Sequence, residues 1–161
     1  VDALGLSGVD GALLRCRKKE HPTADLGYVG EIVQVRAELL DKLMSLGTTV
    51  VLSPISLGMD GLTYNVNADE AASAVALACR AEELIFVSNV PGVLAAGELI
   101  SILAAGEVEH YIDEGIISGG MIPKVRSALQ AVESGVAKAR IVNLEGLLAG
   151  GGTSIVAGAG Y

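Results

Sequence analysis

The stretch GLTYNVNADEAASAVALAC, residues 61–79, passes from a short strand-like segment into an alanine-rich one through two asparagines and two acids. Asn67 is placed to cap a helix that begins at the next residue, because asparagine is a favoured N-cap. Asp69 and Glu70 fall in the first helical turn, where carboxylates favour the positive end of the helix dipole. Asn65 precedes the cap by two residues and has no such structural role. The pattern predicts a strand followed by a helix, and it leaves a ligand site open beside the capping role.

Extended and helical segments alternate outward from this stretch. The Asp60-Gly61 pair is a strong hairpin-turn signal, and the alternation implies right-handed crossovers and a mainly parallel sheet with helices on both faces. The sequence therefore predicts a three-layer αβα sandwich that forms a single domain over residues 1–161. The predicted strands are GALLRCR and LGYVGEIVQV, paired like a hairpin, then TTVVLSPI, LTYNV, ELIFVS, KARIVN and TSIV, and the further helices are RAELLDKLMSLG, AAGEVEHYIDEG and PKVRSALQAVESG.

The composition excludes several classes of protein. Eleven Lys and Arg against nineteen Asp and Glu give a net charge of −8, which repels the phosphate backbone of a nucleic acid. Charges interrupt the apolar residues before any run approaches the roughly 18 needed to span a bilayer. With no signal-peptide pattern, the sequence predicts a cytoplasmic protein without nucleic-acid or membrane partners. Cys16 and Cys79 belong to no metal-binding pattern, and we expect both to be buried thiols.

A second motif, GIISGGMIPKVRSAL, places glycines before a helix start. Pro123 suits the first helical turn, but Lys124 opposes the helix dipole by about 0.3 to 1 kcal/mol. Gly119 and Gly120 would let backbone N–H groups approach an anion closely, and the lysine would complete the site. The alternative is a lysine whose long stem reaches solvent.

A third motif, ELIFVSNVPGVL, ends a predicted buried strand in Ser88 and Asn89, before a Pro91-Gly92 turn. Ligands of open parallel sheets bind beyond the carboxyl ends of strands. Asparagine and proline are also ordinary turn residues. If all three motifs contribute to one site, we expect Asn65, Ser88 and the glycine pair of the second motif to open on the same sheet edge.

In this order, LTYNVNADEAA, LIFVSNVPGVL and GIISGGMIPKVRSAL resemble the carboxyl-terminal, nucleotide-binding half of the acetylglutamate kinases, within the amino-acid kinase family. The segments LGLSGVDGALLRCRKK, LGYVGEIVQV and VVLSPISLGMDG also resemble the middle region of these enzymes, so the resemblance covers nearly the whole chain. It implies the amino-acid kinase, carbamate kinase-like fold with its amino-terminal half missing.

The resemblance implies transfer of the γ-phosphoryl group of ATP to the side-chain carboxylate of N-acetyl-L-glutamate, a step of arginine biosynthesis. Lys124 would stabilise the transition state, Asp69 would orient the catalytic lysines, and Asn65 would hold the acetylamino acid. ATP would bring Mg²⁺, held mainly by its phosphates, and no residue is assigned as a metal ligand. The residues that match the nucleotide-contacting segments are Ser88, Asn89, Val90, Pro91, Gly92, Val93, Leu94, Ile116, Ile117, Ser118 and Gly120.

The sequence also departs from the pattern of this family. The glycine-rich Lys-x-Gly-Gly start and a second catalytic lysine are absent, and Lys18 and Lys19 are no evident replacements. Asn89 stands where the family usually has Asp, and Ala95 where an acid is common. The resemblance implies a parent enzyme that is a homo-oligomer. Because catalytic parts are absent from the sequence, we expect the isolated chain to be inactive. The alternatives are a non-catalytic nucleotide-binding or regulatory fragment, and a kinase for another amino acid or small carboxylate.

Overall fold

The computed structural model describes residues 1–158, so the last three residues of the predicted domain lie outside the described residues. The chain divides into two compact units, one formed by residues 1–79 and the other beginning at Arg80. Helices and strands alternate in both, and the prediction of a mixed α/β fold with mainly parallel strands is confirmed. The parallel pairings, in order along the chain, are β1 with β4, β2 with β5, β3 with β6, β7 with β11 and β10 with β12, as bounded below.

The first unit contains two helices among its strands. Its elements are β1 (Ala3–Ser7), β2 (Leu14–Lys18), β3 (Val29–Val35), α1 (Ala37–Ser45), β4 (Thr49–Ser53), β5 (Ile55–Gly58), β6 (Thr63–Val66) and α2 (Ala68–Ala78).

Four strands of this unit close on one another in the order β2-β3-β6-β5, while β1 and β4 form a separate parallel pair. Inside, Leu14 and Cys16 of β2 pack with Tyr64 and Val66 of β6, and Ala71 of α2 joins this core. Alternate residues of a strand point to opposite faces, so the side chains on either side of Tyr64 face outward. Cys16 is buried, as predicted, and its desolvation raises the pKa of the thiol. Cys79 is only partly buried, so the prediction of a buried thiol is wrong for this residue.

The turn between β5 and β6 confirms the predicted hairpin. Gly61 has φ +84°, a left-handed conformation that glycine adopts without a steric penalty. The Asp60 carboxylate accepts hydrogen bonds from the Leu62 N–H at 3.0 Å and the Tyr64 hydroxyl at 2.7 Å. The tyrosine bond lowers the pKa of Asp60 and raises the pKa of Tyr64 to about 12. One acid thus ties the turn to the core tyrosine.

The second unit is built around a four-stranded sheet in the order β10-β12-β11-β7. A small β8-β9 hairpin lies between β7 and β10 in the chain. Its elements are β7 (Leu84–Ser88), β8 (Leu94–Ala95), β9 (Glu98–Leu99), β10 (Ile102–Ala104), α3 (Val108–Asp113), α4 (Met121–Glu133), β11 (Lys138–Asn143), α5 (Leu144–Ala149) and β12 (Thr153–Val156).

Helix α4 covers this sheet and packs on β7, β11 and β12. Its side chains Val125, Ala128 and Ala131 are fully buried; they recur at the three-residue spacing that keeps one face of a helix toward a core. Ile141 and Ile155 are the matching buried residues of the sheet. Within residues 1–158 we find no helix with both the length and the apolar character that a membrane crossing requires.

Candidate active site

The junction between β6 and α2 has the geometry predicted from the opening stretch. The Asn67 side chain accepts hydrogen bonds from the N–H groups of Asp69 at 2.9 Å and Glu70 at 3.1 Å, so the predicted cap is confirmed. Asn65 lies on β6 between two buried residues and is itself exposed. Within the described part of the chain its side chain has no hydrogen-bond partner. Its amide is therefore free to bind a ligand.

The two acids in the first turn of α2 differ in their partners. Glu70 forms an ion pair with Lys19 at 2.7 Å, which links the end of the β2 segment to the start of the helix. The Asp69 carboxylate is partly buried and forms no ion pair with any residue from 1 to 158. Lys18 pairs with Asp25 at 2.8 Å, and this bond raises the pKa of the lysine and lowers that of the acid. Both lysines of this loop are thus held by acids within the first unit.

In the second unit, the predicted nucleotide-contacting turn follows β7 directly. Ser88 ends the strand, and its hydroxyl donates to the Asn89 side-chain oxygen at 3.3 Å. Gly92 has φ +147°, and a Cβ at this position would stand 2.5 Å from the Thr153 hydroxyl. Only glycine fits there. Val93 is buried, so its packing in the core anchors the exposed residues of the turn.

Two residues that position this turn were missed by the sequence analysis. The Thr153 hydroxyl accepts from the Val93 N–H at 2.8 Å and donates to the Ile100 carbonyl at 2.6 Å. Nothing in the local sequence TSIV distinguishes it from any strand threonine. Asn143 pairs in register with Ser88 and caps α5 by accepting from the Gly146 N–H at 2.7 Å. The sequence pattern that predicts the cap at Asn67, an asparagine between a strand and a helix, is also present at Asn143.

The start of α4 has the glycines and the lysine at the positions in the helix that the sequence predicts. Gly119 has φ +56° and Gly120 is the N-cap, with no side-chain cap and no acid in the first turn. Ile117 is buried just ahead of this loop, while Ser118 is exposed. Lys124 lies in the first turn, half-buried, and forms no ion pair within residues 1–158. The positive end of the helix therefore carries an additional positive charge without a compensating side chain.

The predicted site residues fall in different sheets. Asn65 belongs to a strand of the closed β2-β3-β6-β5 set, whereas Ser88 ends a strand of the four-stranded sheet of the second unit. The expectation that both open on the edge of one sheet is therefore wrong. The β2-β3 and β5-β6 hairpins pair in parallel with each other and so close the four-stranded set. Strand β6 therefore has β3 and β5 on its two sides and no free edge for β7.

Comparison with known proteins identifies the family to which this arrangement belongs. The model of the amino acid kinase family matches residues 1–143. The chain belongs to the amino acid kinase family. Over 156 residues it is 56% identical to a protein named acetylglutamate kinase from Roseiflexus castenholzii, a match that covers 97% of this chain and 60% of that relative. The chain thus spans about three-fifths of the length of this relative.

Solved structures share the fold of this chain. The protein smu.665 from Streptococcus mutans matches with a TM-score of 0.80 and 30% identity, covering 98% of this chain and 62% of that one. Carbamate kinase from Giardia lamblia, at a TM-score of 0.70 and 13% identity over 98% of this chain and 63% of that one, shares the fold. The prediction of an amino-acid kinase fold is confirmed.

Proposed function

We propose that this amino acid kinase chain is the nucleotide-binding part of an acetylglutamate kinase, which transfers the γ-phosphoryl group of ATP to the side-chain carboxylate of N-acetyl-L-glutamate in arginine biosynthesis. The observation that carries the proposal is the start of α4, where a half-buried Lys124 and an uncapped helix end offer positive charge to an anion. The identity to proteins named acetylglutamate kinase supports the choice of reaction.

The chemistry of this reaction requires such a site. Both reactants are anions, and phosphoryl transfer is catalysed mainly by alignment and by stabilising charge on the moving group. Lys124 would place its ammonium group at the transferring phosphoryl group, and the N–H groups at the start of α4 would contact the phosphates. The turn that Thr153 fixes, from Ser88 to Leu94, and the loop from Ile116 to Gly120 would hold the nucleotide.

The first unit would supply the remaining roles. We assign Asn65 to the N-acetyl-L-glutamate, because its exposed amide has both a donor and an acceptor to offer. Asp69 would orient the catalytic lysines, because its carboxylate forms no ion pair within residues 1–158. Glu70 is already paired with Lys19. The capping role stays with Asn67.

Mg²⁺ would arrive with the nucleotide and neutralise charge on its phosphates. Among residues 1–158 there is no group of three or more His, Cys, Asp or Glu side chains that could hold a metal ion. Mg²⁺ commonly binds through substrate phosphates and water with few protein carboxylates, and we assign no residue of this chain as its ligand. We further propose that residues 1–161 act as a single ATP-binding domain of a cytoplasmic, homo-oligomeric enzyme.

A chimera tests the function directly. The 156 matched residues of this chain would replace their counterparts in the Roseiflexus castenholzii relative, and acyl phosphate would be trapped as the hydroxamate. We expect ATP-dependent and N-acetyl-L-glutamate-dependent product. In this chimera Lys124→Ala should lower kcat by roughly 10²- to 10³-fold with little change in KM for ATP, because the ammonium group acts on the transition state.

The matched control is Lys42→Ala, which removes an exposed lysine of α1 and should leave kcat within about twofold. A chimera that binds MgATP without transferring phosphate would favour the non-catalytic nucleotide-binding module. Phosphorylation of a different carboxylate would favour a kinase of other specificity. An active chimera whose kcat is unaffected by Lys124→Ala would rule out the role assigned to this lysine.

A further inference from the structure

The one hydrogen bond that the Arg15 side chain makes within residues 1–158 goes to a sulfur atom. Its Nη2 atom lies 3.6 Å from the Sδ atom of Met59, and its Nε atom is buried without a partner. Guanidinium groups normally donate to oxygen atoms, as Arg140 does to Glu83 at 2.9 and 3.1 Å. A thioether is a weak acceptor. The cation of Arg15 is therefore in contact with Met59 but weakly bound to it.

The backbone holds Met59 beside Arg15. Arg15 and Cys16 of β2 pair in parallel with Leu57 and Gly58 at the end of β5. Met59 follows directly, and its N–H donates to the Cys16 carbonyl at 2.9 Å. Because the backbone is hydrogen-bonded on both sides of the contact, a chemical change at the Met59 sulfur acts directly on the Arg15 guanidinium group.

Met59 is also open to reagents in solution. It is 62% exposed, compared with 46% for Met44 on α1, while Met121, the third methionine of the chain, is half-buried. Peroxides oxidise an exposed thioether to a sulfoxide. The sulfur lone pair attacks one peroxide oxygen, the S–O bond forms as the O–O bond breaks, and the departing hydroxide takes the remaining proton and leaves as water. Sulfur loses two electrons, and the peroxide gains them.

Oxidation would change the strength of the contact with Arg15. A sulfoxide is polar, and its oxygen carries partial negative charge where the thioether carries almost none. Hydrogen bonds from a charged donor are stronger than neutral ones. Oxidation of a buried methionine disrupts an apolar core, but Met59 is exposed and lies against a cation. For this methionine the expected effect on stability therefore has the opposite sign.

We propose that Met59 is an oxidation site, where a peroxide converts the thioether to a sulfoxide whose oxygen accepts a hydrogen bond from Arg15. The new bond ties the β5-β6 turn more firmly to β2. Neither residue belongs to the proposed nucleotide or N-acetyl-L-glutamate site, so the site does not depend on the proposed function.

The test uses a chain with Met44→Leu and Met121→Leu, in which Met59 is the only methionine. Hydrogen peroxide is added until mass spectrometry shows complete conversion to the sulfoxide. In urea denaturation, we expect oxidation to lower the unfolding equilibrium constant about threefold to tenfold, as suits one hydrogen bond that solvent can reach. Methionine sulfoxide reductases for both epimers should restore the original value, which separates the effect from any oxidation of cysteine.

Variants of β2 test whether Arg15 is the partner. The effect of oxidation is measured within each variant, so the stability of the variant itself cancels. We expect the gain to vanish in Arg15→Leu and to remain in Arg17→Leu, the matched control at an exposed pair with Glu31 on the same strand.

A second comparison uses neither peroxide nor a change at Arg15, and it decides the question even where Arg15→Leu does not fold. Met59→Gln supplies an amide oxygen, whereas Met59→Leu supplies no acceptor. We expect the unfolding equilibrium constant of Met59→Gln to be at least about twofold lower than that of Met59→Leu.

Three results would overturn the proposal. The first is a Met59 that resists peroxide under conditions that oxidise Met44 in the wild-type chain. The second is an unfolding equilibrium constant that oxidation leaves unchanged or raises, and the third is a gain that persists in Arg15→Leu. None of these measurements involves ATP or phosphoryl transfer, so they leave the proposed function untouched.

Discussion

Asn65 and Asn67 are the same residue type two positions apart, yet their surroundings differ. Asn67 accepts two backbone hydrogen bonds at the start of α2, whereas the exposed Asn65 side chain has no hydrogen-bond partner among the described residues. Asp69 and Glu70 divide in a similar way, because only Glu70 has an ion-pair partner. The contacts of Asn67 and Glu70 thus indicate structural roles for these two residues. Asn65 and Asp69, which lack such contacts among the described residues, are the two proposed to act on ligands.

The two asparagines give a matched pair of variants. Asn67→Ala should lower the free energy of unfolding by about 1 kcal/mol, because two helix N–H groups lose their acceptor. Asn65→Ala should change it by less than about 0.5 kcal/mol, as is usual for an exposed residue without a specific contact. Urea denaturation of both variants checks this, with Asn67→Asp as a cap-preserving control. An equal loss in both would contradict the division of roles.

Single residues explain which parts of the site could be predicted. The cap at Asn67, the turn at Gly61 and the lysine in the first turn of α4 are local patterns, so the sequence was sufficient to predict them. Thr153 holds a loop some 60 positions earlier in the chain, and no local pattern encodes such a partner.

Among the elements, the strength of the local sequence pattern, more than length alone, decided what could be predicted. The β2-β3 hairpin, α1, α2, α4 and β11 are long enough to show a strand or helix period, and all of them were predicted. Strands β8 and β9 have two residues each, too few for any alternation. Helix α5 has six residues, and its asparagine cap and the left-handed Gly150 at its end were the only available signals. Strand β1 became evident only through its pairing with β4.

An acidic side chain just before β7 also links this strand to its neighbour β11. Glu83 accepts two hydrogen bonds from Arg140 and lies 2.9 Å from Lys138, both on β11. Burial alone would raise the pKa of Glu83, but the bonds from Lys138 and Arg140 outweigh it and hold the pKa below its ordinary value of 4.5. The folded state therefore favours the ionised carboxylate.

We expect Glu83→Gln to lower the free energy of unfolding near neutral pH by about 1 to 2 kcal/mol, because it removes a partly buried charged acceptor. The folded-state pKa is the lower one, so the contribution of Glu83 is present above pH 4.5 and is lost as the pH falls through the folded-state pKa. Urea denaturation of both proteins near pH 7 and about pH 3 should show the difference shrinking in acid.

The control for this pair is Glu109→Gln. Arg126 holds Glu109 with the same two-bond geometry, but both side chains are more than half exposed, and surface ion pairs contribute little to stability. We expect a clearly smaller loss than for Glu83→Gln. A loss that is equal in the two variants, or that stays constant down to low pH, would exclude the proposed role of Glu83.

At the scale of the whole molecule, the fold class was predicted and the grouping of strands was not. The alternation of helices and strands indicates an α/β protein, because it is a property of the sequence order. Closure of two hairpins into the β2-β3-β6-β5 set depends on parallel contacts between them, which no sequence pattern within either hairpin specifies. For this reason the sequence predicts one sheet for Asn65 and Ser88, whereas the structure assigns them to two.

The whole chain should respond to the nucleotide even without transferring phosphate. A ligand that binds only the folded state stabilises it by RT ln(1 + [L]/Kd). If MgATP binds with a Kd of about 1 mM, at the weak end of the usual range for enzyme substrates, about 10 mM MgATP adds about 1.4 kcal/mol. For a chain of this size that corresponds to a rise in Tm of about 3 to 6 °C.

Adenosine with Mg²⁺ is the matched control, because it lacks the phosphates that the start of α4 is proposed to bind. Its shift should be well below that of MgATP. Lys124→Ala should reduce the MgATP shift only slightly, since the ammonium group of this lysine is assigned to the transition state rather than to bound ATP. Equal shifts with adenosine and MgATP would mean that the phosphates gain nothing from this chain, and the anion site at α4 would then have to be abandoned.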